Sequence, residues 1–386
     1  MKKIAYFINE LDICGGTHKQ LLKLLDYSSE KNLNFTVFTK RVNFDKTYKG
    51  FSKYKDVIQV LPRRSFVAKI VNKLGLKSLA NRMDQVAVRK VVSECDIINI
   101  HDCGFEFLLP AFDGKKVVWQ VNDLPWFCGV GVHSNQEKDA KKINRLNSIM
   151  KRNLRYVSQF TVNVKKNADR ILDVWGRSAD VFYCGVDPIN IQRNVDESLI
   201  RFKQKEINLL SSGVFFPYRN YETQILVVKE LVRLGWNVQL NIFGNLKDGA
   251  YAKKIQDMIS EEKLERQVKI WGQIDSETFV DLHRLSDFFL FVNVDQSWGL
   301  AVFEAQSCGI PVIVSSSVGA VEILNDGKDS VFVDPKNVGE IVEKIVRLIE
   351  DESLYREIAA NAKVFHLQWS WDKAYSSKMI ELFKKV

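Results

Sequence analysis

The sequence is short of several things that would narrow its role quickly. No apolar run among its 386 residues approaches the roughly 18 to 20 that a membrane-spanning helix needs. The six cysteines, Cys14, Cys95, Cys103, Cys128, Cys184 and Cys308, form no CxxC pair, and no histidine cluster has metal-ligand spacing. They read as reduced packing residues. No internal repeat or low-complexity tract appears. With an apolar strand pattern already at MKKIAYFIN, a cytosolic protein, at most peripheral to the cytoplasmic face of a membrane, is expected. At 46% hydrophobic and 27% charged residues the chain is globular in composition, not disordered. Lysine and arginine outnumber aspartate and glutamate by 56 to 47, a net charge of +9 that favours anionic partners without saying which.

What is present is an alternation of strands and helices. Apolar, β-branched runs recur at KKIAYFIN, NFTVFTK, DIINIH, KKVVWQVN, QFTVNV and ADVFYCG, then at INLLSSGVFF, NVQLNIFG, QVKIWG, FFLFVNV, IPVIVSSS and SVFVD. Runs hydrophobic almost throughout, separated by helical patterns, point to parallel sheets covered on both faces. The fold class is therefore α/β, with two doubly wound Rossmann-like domains facing across a cleft. A polar, charged segment, DPINIQRNVDESLIRFKQK, separates the two series. The expected organisation is a first domain over 1–187, a linker over 188–206, a second domain over 207–366 and a terminal helix over 367–386.

Ligands of open parallel sheets bind beyond the carboxyl ends of the strands, so residues just after strands carry the information. After the first strand, Gly15 and Gly16 precede a helix beginning near Thr17, and bare backbone with free amides suits an anion. A plain strand-to-helix turn explains them too. His101, Asn122 and Asp123 end two further strands. His101 is either a ligand contact or a hydrogen-bonded structural residue, and Asp123 either a contact or a turn former before Leu124 and Pro125. Arg219 lies in a strand-to-helix loop where its guanidinium suits a phosphate, unless it is simply solvated.

The richest stretch is DQSWGLAVFEAQSCGIPVIVSSS. Gly299 permits close backbone approach, and the amides near Gly299 and Leu300 open a helix that ends at Gly309. Glu304 sits about one turn inside. A carboxylate so close to bound phosphates is better suited to vicinal hydroxyls, such as those of a ribose, than to the phosphates themselves. Its alternative role is to complement the helix dipole.

These residues resemble a known pattern. WGLAVFEAQSCGIPVIVSSSVGAVEIL is similar to the nucleotide-binding signature of family 4 glycosyltransferases of the GT-B fold, in which two glutamates are separated by seven residues. The diglycine at Gly15 and Gly16, INIHD at Ile98 to Asp102, QVNDLP, YCGVD, FFPYRN and VKIWGQI follow in the family's order. The resemblance implies a retaining, metal-independent and cofactor-free transfer of a sugar from a nucleoside-diphosphate donor (UDP or GDP type). The donor would be held mainly by the second domain and the acceptor mainly by the first, with the final helix around Trp371 crossing back to the first domain. It implies that Glu304 holds ribose hydroxyls, that Arg219 holds the diphosphate, and that Gly299 and Leu300 offer amides. Gly244, Ser297 and Trp298 fall in the implied donor site. Trp271, Gly272 and Gln273 border the base, and Gly15 and Gly16 approach the donor. The implied acceptor side comprises Gly16, Thr17, His18, His101 and Asp123.

Three positions depart from the pattern. The leading glutamate is Gln296, which hydrogen-bonds but cannot stabilise developing positive charge as a carboxylate does. The histidine often found before the aspartate is Asn122. The arginine of the diphosphate site is Val214, which leaves Arg219 more charge to neutralise.

The segment Arg63 to Lys90 carries eight basic residues and one acid, Asp84, at helical apolar spacing. It reads as a surface for anionic lipid or as a solvated helix covering the first sheet. The expected function is transfer of a hexose or pentose to a glycan, glycolipid or lipid-linked acceptor in surface polysaccharide biosynthesis. A non-catalytic sugar-nucleotide or glycan-binding protein is the alternative. Nucleic acid is not an expected partner.

Overall fold

The computed structural model describes residues 2–62, 64–131 and 139–386. The chain divides into two compact units, residues 1–185 with 371–386 and residues 186–370.

In the first unit seven strands, β1 (Ile4–Ile8), β2 (Phe35–Thr39), β3 (Ile58–Val60), β4 (Ile97–His101), β5 (Lys116–Val121), β6 (Gln159–Val162) and β7 (Ala179–Val181), form a parallel sheet in the order β3-β2-β1-β4-β5-β6-β7. All five residues of β1 are buried, as a strand covered on both faces requires. Alternation splits the sheet into two unlike faces. One is apolar, with Phe7 against Phe38, Phe105 and Phe112, and Trp119 against Phe160 and Trp175. The other is polar although buried, with Asn99 and His101 on β4, Gln120 on β5 and Thr161 on β6. His101 pairs with Gln120, and Gln120 with Thr161, in the strand register. Helix α1 (Gly16–Glu30) belongs to this unit, and its Ser28 meets the Tyr6 hydroxyl at 2.8 Å.

β3 gave no recognisable signal in the sequence. It is a three-residue edge strand with exposed or half-buried side chains, so neither alternation nor a continuous apolar run marks it. The segment Trp371–Val386 packs on the first unit, where Phe383 lies 6.2 Å from Tyr6. Gly185 meets Trp371 so closely that a Cβ would fall 2.2 Å from the Trp371 Cα.

The second unit is a six-stranded parallel sheet, β8 (Glu206–Ser212), β9 (Asn237–Phe243), β10 (Val268–Gly272), β11 (Phe288–Phe291), β12 (Val312–Ser315) and β13 (Val331–Val333), in the order β10-β9-β8-β11-β12-β13. The stretch 188–206, whose charge suggests a linker, is instead part of this unit. It holds a helix, Val195–Lys203, capped by the Asn194 side chain, whose Leu199 and Phe202 enter the core. Its charges are spent on a buried carboxylate. Arg201 reaches Asp287 at 2.6 Å, and Arg193 donates to the Ser286 and Gly309 carbonyls at 2.7 and 2.9 Å. Removing one partner from such a cluster leaves a buried charge uncompensated, which costs about 3 to 5 kcal/mol.

Candidate functional site

At the carboxyl ends of β8, β9 and β10 the second unit is lined with glycine. The Gly213 amide donates to the Phe243 carbonyl at 3.0 Å, and the Gly244 amide to the Gly272 carbonyl at 2.8 Å. Gly244 has φ +147°, and a Cβ there would lie 1.9 Å from the Gly213 oxygen. A Cβ on Gly213 would lie 2.5 Å from the Arg219 Cζ. These positions must be bare because two strand ends and a guanidinium occupy one small volume.

Arg219 ends a short turn, Pro217–Arg219, after β8. Its guanidinium sits near the rings of Tyr218 and Phe291, at 5.2 and 5.9 Å, and its Nη1 donates to the Gln296 Oε1 at 3.0 Å. The side-chain amide of Asn293 lies 2.5 Å from the same oxygen. In its other amide orientation Asn293 would take Arg219 Nη1 and give to the Arg219 carbonyl, both at 3.1 Å. In the first orientation Gln296 alone bonds the guanidinium and is itself held by Asn293; in either, no carboxylate neutralises the arginine through these bonds. The Arg219 Nε is buried and has no hydrogen-bond partner. A buried cationic donor left unsatisfied favours an anionic acceptor.

Past β11 the backbone turns twice through the left-handed region, at Asp295 (φ +60°) and Gly299 (φ +123°), before a helix, Leu300–Ser307. A Cβ on Gly299 would meet the Phe291 ring at 2.8 Å, so only glycine serves there. Glu304 is half-buried within this helix, and its charge acts on His283 and Cys308. Ser297 is buried, and Trp298 stacks on Phe303 at 5.0 Å. Trp271 is half-buried, with Nε1 on Asn241 Oδ1 at 2.8 Å and Lys269 over its ring at 3.2 Å, while Gln273 is exposed.

The strand ends of the first unit are built differently. Asn122 is buried and donates to Thr17 Oγ1 at 3.0 Å and Gln20 Oε1 at 2.9 Å. It accepts from Gln120 at 3.0 Å, whose Oε1 takes the Thr161 hydroxyl at 2.7 Å. Asn167 closes the network on the Asn122 carbonyl. His101, a candidate for a sugar contact, is fully buried and hydrogen-bonded to Asn99 at 2.8 Å. Burial, with a smaller contribution from His18, pulls it down to about 3, so it is neutral. His18 is buried as well, with Nε2 on the Glu10 carbonyl at 2.8 Å. Neither histidine presents its ring at the surface.

What does come near the start of α1 is acid. Asp102, in the left-handed region at φ +61°, accepts from Thr17 at 3.2 Å while its Oδ1 is buried without a partner. Burial pushes its carboxyl up to about 6. Burial also raises Glu106, whose Oε1 takes the Gly104 amide at 2.8 Å. Asp123 is half-buried, and its carbonyl accepts from the Cys103 thiol at 3.4 Å. Gly15 is ordinary extended backbone (φ −142°), so the diglycine supplies bare amides without needing glycine's unusual dihedrals.

Residues 193–365 match the family model described as glycosyl transferases group 1. The second unit is a group 1 glycosyltransferase domain. Among relatives, an uncharacterized glycosyltransferase, MJ1178, of Methanocaldococcus jannaschii is 26% identical over 161 residues, 42% of this chain and 43% of that protein. The N,N'-diacetylbacillosaminyl-diphospho-undecaprenol alpha-1,3-N-acetylgalactosaminyltransferase of Campylobacter jejuni is 30% identical over 107 residues, 28% of each chain. The chain thus spans less than half the length of either relative. A solved structure of Anabaena HepE in complex with UDP and glucose matches the whole of both chains with a TM-score of 0.75 at 16% identity. That likeness is one of fold, two Rossmann-like domains of the GT-B class.

Within the glycosyltransferase domain the structure joins Arg219 to Gln296 directly, and Gly244 to Gly272 through the strand ends. Two participants went unnoticed in the sequence. Asn293 interrupts the apolar run FFLFVNV, and that break was the available signal. Gly213, between SS and VFF, shows its role only once β9 is placed beside it. In the first unit Asp102, Gln20 and Gln120 were missed. For Gln120 the signal was the alternation of polar residues in INIHD and WQVND, which fits no solvent-facing strand of a sheet buried on both faces.

Proposed function

We propose that this chain is a retaining, metal-independent glycosyltransferase. It would move a hexose or pentose from a UDP- or GDP-sugar to a glycan, glycolipid or lipid-linked acceptor in surface polysaccharide or glycoconjugate biosynthesis. The observation that carries the reading is the orientation of Arg219 by Gln296, itself held by Asn293, beside glycine-lined strand ends, within a group 1 glycosyltransferase domain. A diphosphate there would meet an uncompensated guanidinium and open backbone. The amides at Gly299 and Leu300 would take the remaining phosphate charge, and Glu304 would accept from the ribose hydroxyls. In the transfer the bond from the sugar's anomeric carbon to the diphosphate oxygen breaks, and the bond to the acceptor oxygen forms on the same face. The acceptor's proton leaves with the diphosphate. The relative named for N-acetylgalactosamine transfer to an undecaprenol-linked diphospho-sugar supports a lipid-linked acceptor.

The test is release of nucleoside diphosphate from a panel of UDP- and GDP-sugars with cell-envelope extract as acceptor. The reading expects turnover with at least one donor, and expects Glu304→Gln to lose about 2 to 4 kcal/mol of transition-state stabilisation. Gln296 in place of a carboxylate favours a second reading, a sugar-nucleotide-binding protein without catalysis. Donor binding with no turnover across the panel selects that reading.

A further inference from the structure

The first unit carries a surface apart from the strand ends described above. The stretch Arg63 to Lys90 folds as a helical hairpin, α2 (Phe66–Lys73) and α3 (Lys77–Val91), separated at Gly75 (φ +82°); Arg63 itself lies outside the described residues. The hairpin is held from one side only. Gln85 and Arg89 donate to the Phe107 and Pro110 carbonyls, and the buried side chains of the two helices are Ala68, Ala80 and Val88. Its other side is apolar and bare. Of the 18 large hydrophobic residues exposed among the described residues, eight lie between Phe66 and Val91, with Phe66 77% and Leu74 71% exposed. Phe66, Ile70 and Leu74 recur at helical spacing along α2, and Lys69 and Lys73 form the adjoining stripe. A surface of this kind exceeds what scattered exposed side chains explain.

Charge identifies what covers it. From Arg64 to Lys90 the one acid is Asp84, and Arg64 holds it at 2.6 Å. Lys69, Lys73, Lys77 and Arg82 therefore have no acid on the hairpin to offset them. At its base lies a cavity of about 370 Å³ lined by Lys40, Arg64, Lys69 and Asp84 together with Leu61, Pro62, Val88 and Leu108, so one carboxylate offsets part of its positive charge. Burial lowers Lys40, which donates to the Gly104 carbonyl at 2.7 Å.

We propose that the α2–α3 hairpin docks this chain onto an anionic lipid bilayer. Phe66, Ile70 and Leu74 enter the headgroup boundary, and Lys69, Lys73, Lys77 and Arg82 lie on anionic headgroups. Apolar insertion and basic attraction together give the two signals that stable peripheral binding needs. The inference rests on the hairpin's own surface and stands or falls independently of sugar transfer.

The test is co-sedimentation of the full chain with vesicles of phosphatidylcholine alone or with about one third phosphatidylglycerol. Binding is expected to the anionic vesicles and not to the neutral ones, falling as salt rises. Lys69→Glu with Lys73→Glu, and separately Phe66→Ser with Leu74→Ser, are each expected to weaken binding about tenfold or more. All four side chains are exposed, so the thermal midpoint and nucleoside-diphosphate affinity should stay at the parent values. Failure of the parent to bind anionic vesicles, or equal binding by both double variants, overturns the proposal. So does concentration-dependent self-association that Phe66→Ser with Leu74→Ser abolishes, which would make the hairpin an interface between copies.

Discussion

At the ends of β8, β9 and β10 side chains have been removed, and at the ends of β4, β5 and β6 they have been crowded in. Gly213, Gly244 and Gly272 leave open backbone beside one oriented arginine, whereas Gln20, Asn122, Gln120 and Thr161 satisfy one another in a closed, buried chain. Both arrangements are strand-end polar sites of a parallel sheet. They differ in what is left unpaired. In the second unit it is a cationic donor, Arg219 Nε, which suits an anion. In the first they are a carboxylate oxygen of Asp102, whose carboxyl is pushed up to about 6, and the Nδ1 atoms of His18 and His101. Position at a strand end is thus a weak guide to a ligand contact.

The largest effect should follow from filling the open backbone. Gly244→Ala sets a Cβ 1.9 Å from the Gly213 oxygen at a left-handed dihedral, and a loss of about 3 kcal/mol or more in the second unit is expected from denaturant unfolding. Breaking the closed network should cost less. Asn122→Ala strands the partners of three side-chain hydrogen bonds and is expected to lower stability by about 1 to 3 kcal/mol, with nucleoside-diphosphate affinity unchanged. A matching loss of affinity would show that the network serves the donor.

His101 gives the first unit a dependence on pH. Its folded value, near 3, lies below the unfolded 6.5, so its neutral form stabilises fully above pH 6.5 and that contribution is lost as pH falls toward 3. His101→Gln should therefore narrow the stability gap to the parent by up to about 1.4 kcal/mol for each pH unit below 6.5. A constant gap would mean that the imidazole is solvated and free to meet a ligand.

Much of the fold was legible because its strands are long apolar runs; β3 was not, being short, exposed and at an edge. The place of Arg219, Gln296, Gly244 and Gly272 just beyond or at strand ends was legible because the strands before them were; Gly213 was not, since its neighbour Gly244 lies on another strand end. His101 was misleading, since a histidine after a strand reads the same whether its ring faces solvent or Asn99. The helix at 195–203 was hidden because charges spent on the buried Asp287 look like solvated charges until the fold encloses them.

The central claim is that Gln296 orients Arg219 while leaving its charge to the ligand. Calorimetric titration of UDP and GDP into the parent and Gln296→Glu tests it most directly. A carboxylate 3.0 Å from Nη1 would form an internal ion pair and repel the incoming diphosphate, so nucleotide binding should weaken about tenfold or more in the variant. Equal or tighter binding by Gln296→Glu would contradict the account.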